Sequence, residues 1–205
     1  MQITKDHLLD TAKLELIAGG SSMDIRRCVV IHFTSGATAQ SSVDFWKHQN
    51  NGVLAHVIID RDGSIIQCRA FNKVAGHAGV SRWLDPTNNE VRVGCNQFAI
   101  GIELANAGND QKVIRIASRL PGYRGEALLK HRNESQFEHW ELYPQAQLDS
   151  CFALVQVLKV KYNLDDITGH DCIAPERKND PGPAFPMQEL REKNGLVGLP
   201  HVNNP

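Results

Sequence analysis

Long apolar runs are missing from this chain. A membrane-crossing helix needs roughly 18 consecutive apolar residues, and no stretch approaches that. The N-terminus, Met1-Gln-Ile-Thr-Lys-Asp-His-Leu-Leu-Asp10, is too polar for a secretory signal. The expectation is a cytoplasmic protein with no membrane span, or one whose export signal lies outside this sequence. A charge excess is missing as well: the formal net charge is -1. That argues against a nucleic-acid partner and against attachment to membranes by charge alone. Paired cysteines are missing too. The five cysteines are odd in number and contain no C-x-x-C, which argues against a disulfide framework or a four-cysteine zinc site. Reduced, mostly buried thiols are expected instead. There is no internal repeat and no low-complexity segment. What remains is 205 residues at 41% hydrophobic, enough for one domain with a real core. Nine histidines are a high count and invite a search for metal ligands.

Residues 1–26 carry a weak helical pattern, with Thr4 or Asp6 as cap, Leu8, Leu9, Ala12, Leu14 and Leu16 as apolar positions, and Gly19-Gly20 as the stop. His7 is expected on the surface. Cys28–Phe33 is rich in β-branched residues and reads as a buried strand ending at Thr34-Ser-Gly36. His32 is its last side chain on one face. Thr38 caps a helix over 39–49. Residues 53–60 and 64–69 read as strands joined by the turn Arg61-Asp-Gly63. His56 is expected to be a satisfied histidine of the core. Residues 81–96 read as polar loop, with a turn at Asp85-Pro-Thr-Asn-Asn89.

Gln97–Leu104 alternates. Phe98, Ile100, Ile102 and Leu104 take one face; Ala99, Gly101 and Glu103 take the other. The second face leaves room for something with volume across Ala99 and Gly101. Glu103 is either a group at the end of that space or an exposed edge glutamate. Residues 105–143 read as a long loop insertion, a cover or a mobile segment. In it His131, His139, Trp140 and Tyr143 either line a groove or pin the loop, and pinning is favoured for Trp140. A helix starts at Pro144, with Leu148, Cys151, Phe152, Val155, Leu158 and Tyr162 as its buried stripe, and ends near Asn163.

Thr168–Phe185 contains Pro175, Pro181 and Pro183 together with Gly169 and Gly182. No helix runs through such a stretch and a central strand is disfavoured, so a shaped polar loop is expected. His32, Glu103, His170, Lys178 and Asp180 form a notable set. Two imidazoles and one carboxylate suffice for a zinc ion with an open fourth position. Zinc acidifies water and polarises a carbonyl oxygen. A nearby carboxylate can take a proton, and a cation can stabilise an oxyanion. The pattern is compatible with metal-assisted amide hydrolysis.

Five stretches in order resemble the zinc-dependent amidase-2 family of N-acetylmuramoyl-L-alanine amidases. They are Val30–Thr34, Ala55–Gly63, His77-Ala-Gly79, Ile100–Leu104 and Gly169–Phe185. The resemblance implies a single α/β domain, a mixed central β-sheet flanked by helices with zinc (Zn2+) on one sheet face. It implies His32, His170 and Asp180 as zinc ligands, Glu103 as general base, Lys178 at the oxyanion, and His77 and Arg177 as substrate contacts. The implied domain covers 27–190, with an N-terminal extension over 1–26 and a polar tail over 191–205. The implied substrate is a muropeptide or peptidoglycan, cut between N-acetylmuramic acid and L-alanine. Phage lysozyme-type members carry a tyrosine where Ala55 stands here. Glu103 and the run Arg177–Phe185 resemble the cytoplasmic branch that recycles 1,6-anhydro-muropeptides. Two alternatives are a non-catalytic peptidoglycan-binding module and a phage-type lysin released to the cell wall by a phage or host export route.

Overall fold

The computed structural model describes residues 1–49 and 51–196. Its strands are β1 (Lys13–Leu14), β2 (Cys28–Phe33), β3 (Val57–Ile59), β4 (Ile65–Gln67), β5 (Arg82–Leu84), β6 (Val91–Val93), β7 (Ala99–Leu104), β8 (Glu126–Lys130), β9 (Phe137–Glu141) and β10 (Asp166–Gly169). The helices are α1 (Ala39–Gln49), α2 (Gln111–Ala117), α3 (Gln145–Tyr162), α4 (His170–Ile173) and α5 (Met187–Lys193). Six strands form one sheet in the order β1-β4-β3-β7-β2-β10. Only the β3–β4 hairpin is antiparallel within it. The fold is the mixed α/β single domain expected.

Alternation decides what each sheet face does. Val29 and Ile31 of β2, Ile100, Ile102 and Leu104 of β7 and Ile167 of β10 face Leu148, Cys151, Leu154, Val155 and Leu158 of α3. Every one of these is buried, so α3 closes that face with its apolar stripe. The opposite face is shared. Ala39, Val43 and Trp46 of α1 pack on Ile58 and Ile66 at one end. Cys28, Val30 and Ala99 pack under Trp83 of β5 and Ile173 of α4 at the other. Between these two clusters the same face carries His32, Gly101 and Glu103, small or polar rather than apolar. The sheet therefore builds a gap in its own core there.

The ends of α1 and α3 follow local chemistry. Ser41 N–H donates to Thr38 Oγ1 at 3.1 Å, the expected cap. Asn163 closes α3 in the left-handed region at φ 50. The expected helix in residues 1–26 does not form. His7 adopts φ 60, Leu9 drops into the core, and β1 lies parallel on the edge of β4. Glu15 and Ile17 continue that pairing through Gln67 and Cys68 carbonyls at 3.0 and 2.9 Å. Covering an open sheet edge outweighs a weak local helical pattern. His7 is half-buried and bonds Tyr162 Oη at 2.8 Å rather than lying free on the surface.

The expected loop over 105–143 is largely structured. It holds α2, capped by Asp110, and the β8–β9 hairpin. The expected loop over 81–96 holds a second hairpin, β5–β6, around the turn at Asp85. None of the five cysteines is in a disulfide, and four are buried. Of the expected polar tail over 191–205, residues 191–193 complete α5 and residues 197–205 lie outside the described residues. Among the described residues, no helix is long and apolar enough to cross a membrane.

Candidate active site

Strand order brings the distant residues together. β2 lies between β7 and β10. The register pairs His32 with Glu103 on one side and Ile31 with Gly169 on the other. His170, the next residue after Gly169, opens α4 beside His32. The loop after α4 then returns, and Asp171 N–H donates to the Asp180 carbonyl at 2.8 Å. That bond swings the Asp180 side chain back over the two histidines.

His32, His170 and Asp180 are all buried and form a candidate metal cluster. His32 Nδ1 lies 2.9 Å from His170 Nδ1 and 2.9 Å from Asp180 Oδ2. His170 Nδ1 lies 3.0 Å from the same oxygen. His170 Nε2 donates to the Ala78 carbonyl at 3.1 Å, leaving its Nδ1 lone pair inside the triangle. Burial, then the neighbouring His170, pulls His32 down to about 4, against the opposing pull of Asp180. Burial alone would push the Asp180 carboxyl up, but the His170 and His32 imidazoles beside it hold it well below the usual carboxylate range. Electron pairs from imidazole and carboxylate thus converge at short range in a buried place. This donor set fits a divalent cation of the kind nitrogen and carboxylate ligands hold.

Glu103 completes the polar face. Its Oε2 is buried without a hydrogen-bond partner. Burial, then the Asp180 charge, pushes its carboxyl up to about 8, while Lys178 pulls the other way. An unpartnered buried carboxyl oxygen is costly, and such groups concentrate where chemistry is done. A cleft of about 310 Å³ opens onto these residues, and His32, His77, Glu103, His170, Lys178 and Asp180 all line it.

The two expected substrate contacts are differently engaged. His77 lies across Gly101, where a Cβ would come within 2.5 Å of its ring. This is the volume the small face of β7 was shaped to receive. Both ring nitrogens of His77 have protein partners: His32 Nε2 at 3.0 Å and the Ala99 carbonyl at 3.1 Å. Arg177 lines the cleft, but its Nη2 donates to the Ala78 and Val80 carbonyls at 2.9 and 2.7 Å. It fastens the 78–80 turn beside the cleft. His56 is a satisfied core histidine, as expected. Its Nε2 donates to the Lys73 carbonyl at 2.9 Å, and its Nδ1 accepts from Gly101 N–H at 3.0 Å.

Sequence reasoning missed Asn96, whose Oδ1 accepts from the backbone N–H groups of His77 and Ala78 at 3.0 and 2.7 Å. It sits in a polar stretch with nothing to mark it. Ser35, at φ 50 on the cleft wall, stands in the turn expected at Thr34-Ser-Gly36, with no site role expected of it. No residue of 105–143 lines the cleft. Instead the hairpin braces the Asp180 loop from outside. His131 Nε2 meets Asp171 Oδ2 at 3.1 Å, and Tyr143 Oη donates to the Pro181 carbonyl at 2.7 Å. Trp140 pins the loop, as favoured: its ring fills the space a side chain at Gly182 would need.

The family model described as N-acetylmuramoyl-L-alanine amidase matches residues 21–183. The 1,6-anhydro-N-acetylmuramyl-L-alanine amidase AmpD of Salmonella typhimurium (strain SL1344) is 36% identical over 149 residues, covering 72% of this chain and 58% of its own. The protein of that name from Escherichia coli (strain K12) is 32% identical over 159 residues, covering 78% of this chain and 68% of its own. The chain therefore spans little more than half the length of the first of these relatives. A crystal structure of an AmpD selenomethionine derivative superposes with a TM-score of 0.63 at 26% identity, covering 92% of this chain and 97% of that one. By the span of the family match, this chain belongs to the amidase-2 family of N-acetylmuramoyl-L-alanine amidases.

Proposed function

We propose that this chain is a zinc-dependent amidase that cuts the bond between N-acetylmuramic acid and L-alanine in muropeptides or peptidoglycan. The observation that carries this reading is the buried, unpartnered Glu103 Oε2, in one cleft with the His32–His170–Asp180 triangle and Lys178. His32, His170 and Asp180 would hold the ion. Zinc bound there would supply Lewis acidity to water and to the scissile carbonyl.

Glu103 takes a proton from the attacking water as its oxygen bonds to the amide carbon. It returns that proton to the L-alanine nitrogen as the carbon–nitrogen bond breaks. A carboxyl pushed up to about 8 by burial and by Asp180 is suited to accept and release a proton near neutral pH. The Lys178 ammonium offsets the negative charge that builds on the carbonyl oxygen. Beside the cleft, a hollow of about 300 Å³ is walled by Phe45, Trp46 and the hydroxyl-bearing Thr34, Ser35, Ser41 and Ser42. Aromatic faces beside hydroxyls suit a sugar ring, which supports a muramoyl amide over a plain peptide.

The name of the AmpD relatives supports a small 1,6-anhydro-muropeptide as preferred substrate, and recycling of such fragments in the cytoplasm is the setting proposed with it. The test is release of L-alanine-peptide from purified anhydro-muropeptide and from intact sacculi. Cleavage of both, with the small substrate preferred, is expected. A protein that cuts only sacculi is a lysin and overturns the recycling reading. Muropeptide binding at full zinc occupancy without cleavage overturns the amidase itself.

A further inference from the structure

The hydrogen bonds of His77 form a directed chain that ends on a candidate ligand. A carbonyl oxygen can only accept, so the Ala99 carbonyl at 3.1 Å requires a proton on His77 Nε2. Neutral His77 then presents a lone pair at Nδ1. That lone pair faces His32 Nε2 at 3.0 Å, which must therefore carry a proton. With its proton on Nε2, neutral His32 turns an Nδ1 lone pair toward His170 and Asp180.

We propose that His77 is a positioning residue that fixes His32 in its ligating tautomer and so strengthens the hold of the site on its cation. The proposal rests on the metal reading given above. Three further features serve this one alignment. Asn96 grips the backbone of His77 and Ala78. Gly101 leaves room for the His77 ring to lie across β7, since a Cβ there would meet Cγ at 2.5 Å. His56 holds the Gly101 backbone from the other side, through Gly101 N–H to its Nδ1 and its own N–H to the Gly101 carbonyl at 3.1 Å. The His32 and His77 ring centroids lie 5.1 Å apart, with the ring planes 82° to one another. The other ligand, His170, needs no intermediary because it donates directly to the Ala78 carbonyl. Outer partners of this kind usually govern metal affinity rather than the chemistry itself.

The test has two readouts, neither of them enzymatic activity. Ring-nitrogen NMR of the metal-free protein should show His32 and His77 both protonated at Nε2. Zinc competition against a chromophoric chelator should show about tenfold or greater weakening in His77→Ala. Partial recovery is expected in His77→Gln, whose amide can both accept from His32 and donate to Ala99. A wild-type His32 protonated at Nδ1 overturns the proposal even if no variant folds, and so does unchanged zinc affinity in a folded His77→Ala. A wild type that binds no zinc overturns the metal reading, and this role with it, before His77 is changed.

Discussion

His32 and Glu103 are register partners on adjacent parallel strands, side by side on the face away from α3. Neighbouring strands hold such partners about 5 Å apart without any loop between them. The proposed ligand and the proposed base are therefore held beside each other by direct strand pairing in the central sheet.

Replacing a ligand should empty the site. His32→Ala and Asp180→Ala are each expected to lose stoichiometric zinc and essentially all amidase activity while keeping the sheet. Elemental analysis of dialysed protein, beside circular dichroism, checks this. Full activity in a metal-free His32→Ala protein would remove zinc from the mechanism.

Glu103→Gln should keep zinc and lose roughly 10²–10⁴-fold in kcat, the usual worth of a general base. The same variant carries a pH signature in the chelated, metal-free protein. The Glu103 carboxyl is raised to about 8 in the fold by burial and by Asp180, against about 4.3 in an unfolded chain. Its contribution to stability is thus fully present below about pH 4.3 and lost as pH rises through 8. Glu103→Gln removes that loss. Urea unfolding should find the variant more stable than wild type at pH 8, by an amount on the order of a few kcal/mol, and about equal at pH 4.

Gly101→Ala tests the layer beneath the ligands. Its Cβ would collide with His77, so either the ring moves or β7 does. Overpacking of this kind costs about 1–3 kcal/mol. A lower melting temperature and weaker zinc binding are expected together. Normal zinc affinity would mean that the His77 ring is free to lie elsewhere.

Arg61 and Glu141 tie the β3–β4 turn to β9. The buried pair is bidentate, with Nε and Nη2 each 2.9 Å from a carboxylate oxygen, and Ala107 N–H adds a bond at 2.6 Å. Arg61→Met leaves the carboxylate buried without its cation, which costs roughly 3–5 kcal/mol. Adding Glu141→Leu should recover much of that. A double variant no better than the single one would locate the cost in lost packing rather than in the unpaired charge.

Legibility in the sequence followed burial. β2, β7, α1 and α3 all bury apolar side chains; a β-branched run marked β2, alternation marked β7, a capping residue marked α1 and helical spacing marked α3. The hairpin of β8 and β9 stands outside the main sheet. Leu128 and Phe137 point to solvent while Trp140 is buried, so no period-two pattern survives to betray a strand. The N-terminal segment misled because its pairing partner, the edge of β4, lies more than fifty residues away. At the site, the space over Ala99 and Gly101 was visible as a run of small residues. That His77 fills it was not, because a Gly-His-Ala-Gly segment looks alike whether its histidine meets substrate or protein. The meeting of His32, Glu103, His170 and Asp180 could be expected only through resemblance, since periodicity says nothing about strand order.

The placement of β10 beside β2 also sets an order of events. His32 and His170 are 138 positions apart, and His32 and Asp180 are 148 apart. Until β10 docks, a single ligand protrudes from the sheet. Contacts that distant form late, after loop closure has been overcome. During refolding, then, a chelator-sensitive signal should rise with the last strand to join the sheet and be silent through earlier collapse. On the ribosome, a chain that has not yet emerged past Asp180 lacks one of the three proposed ligands, so capture of the proposed ion would follow emergence of β10 and the loop after it.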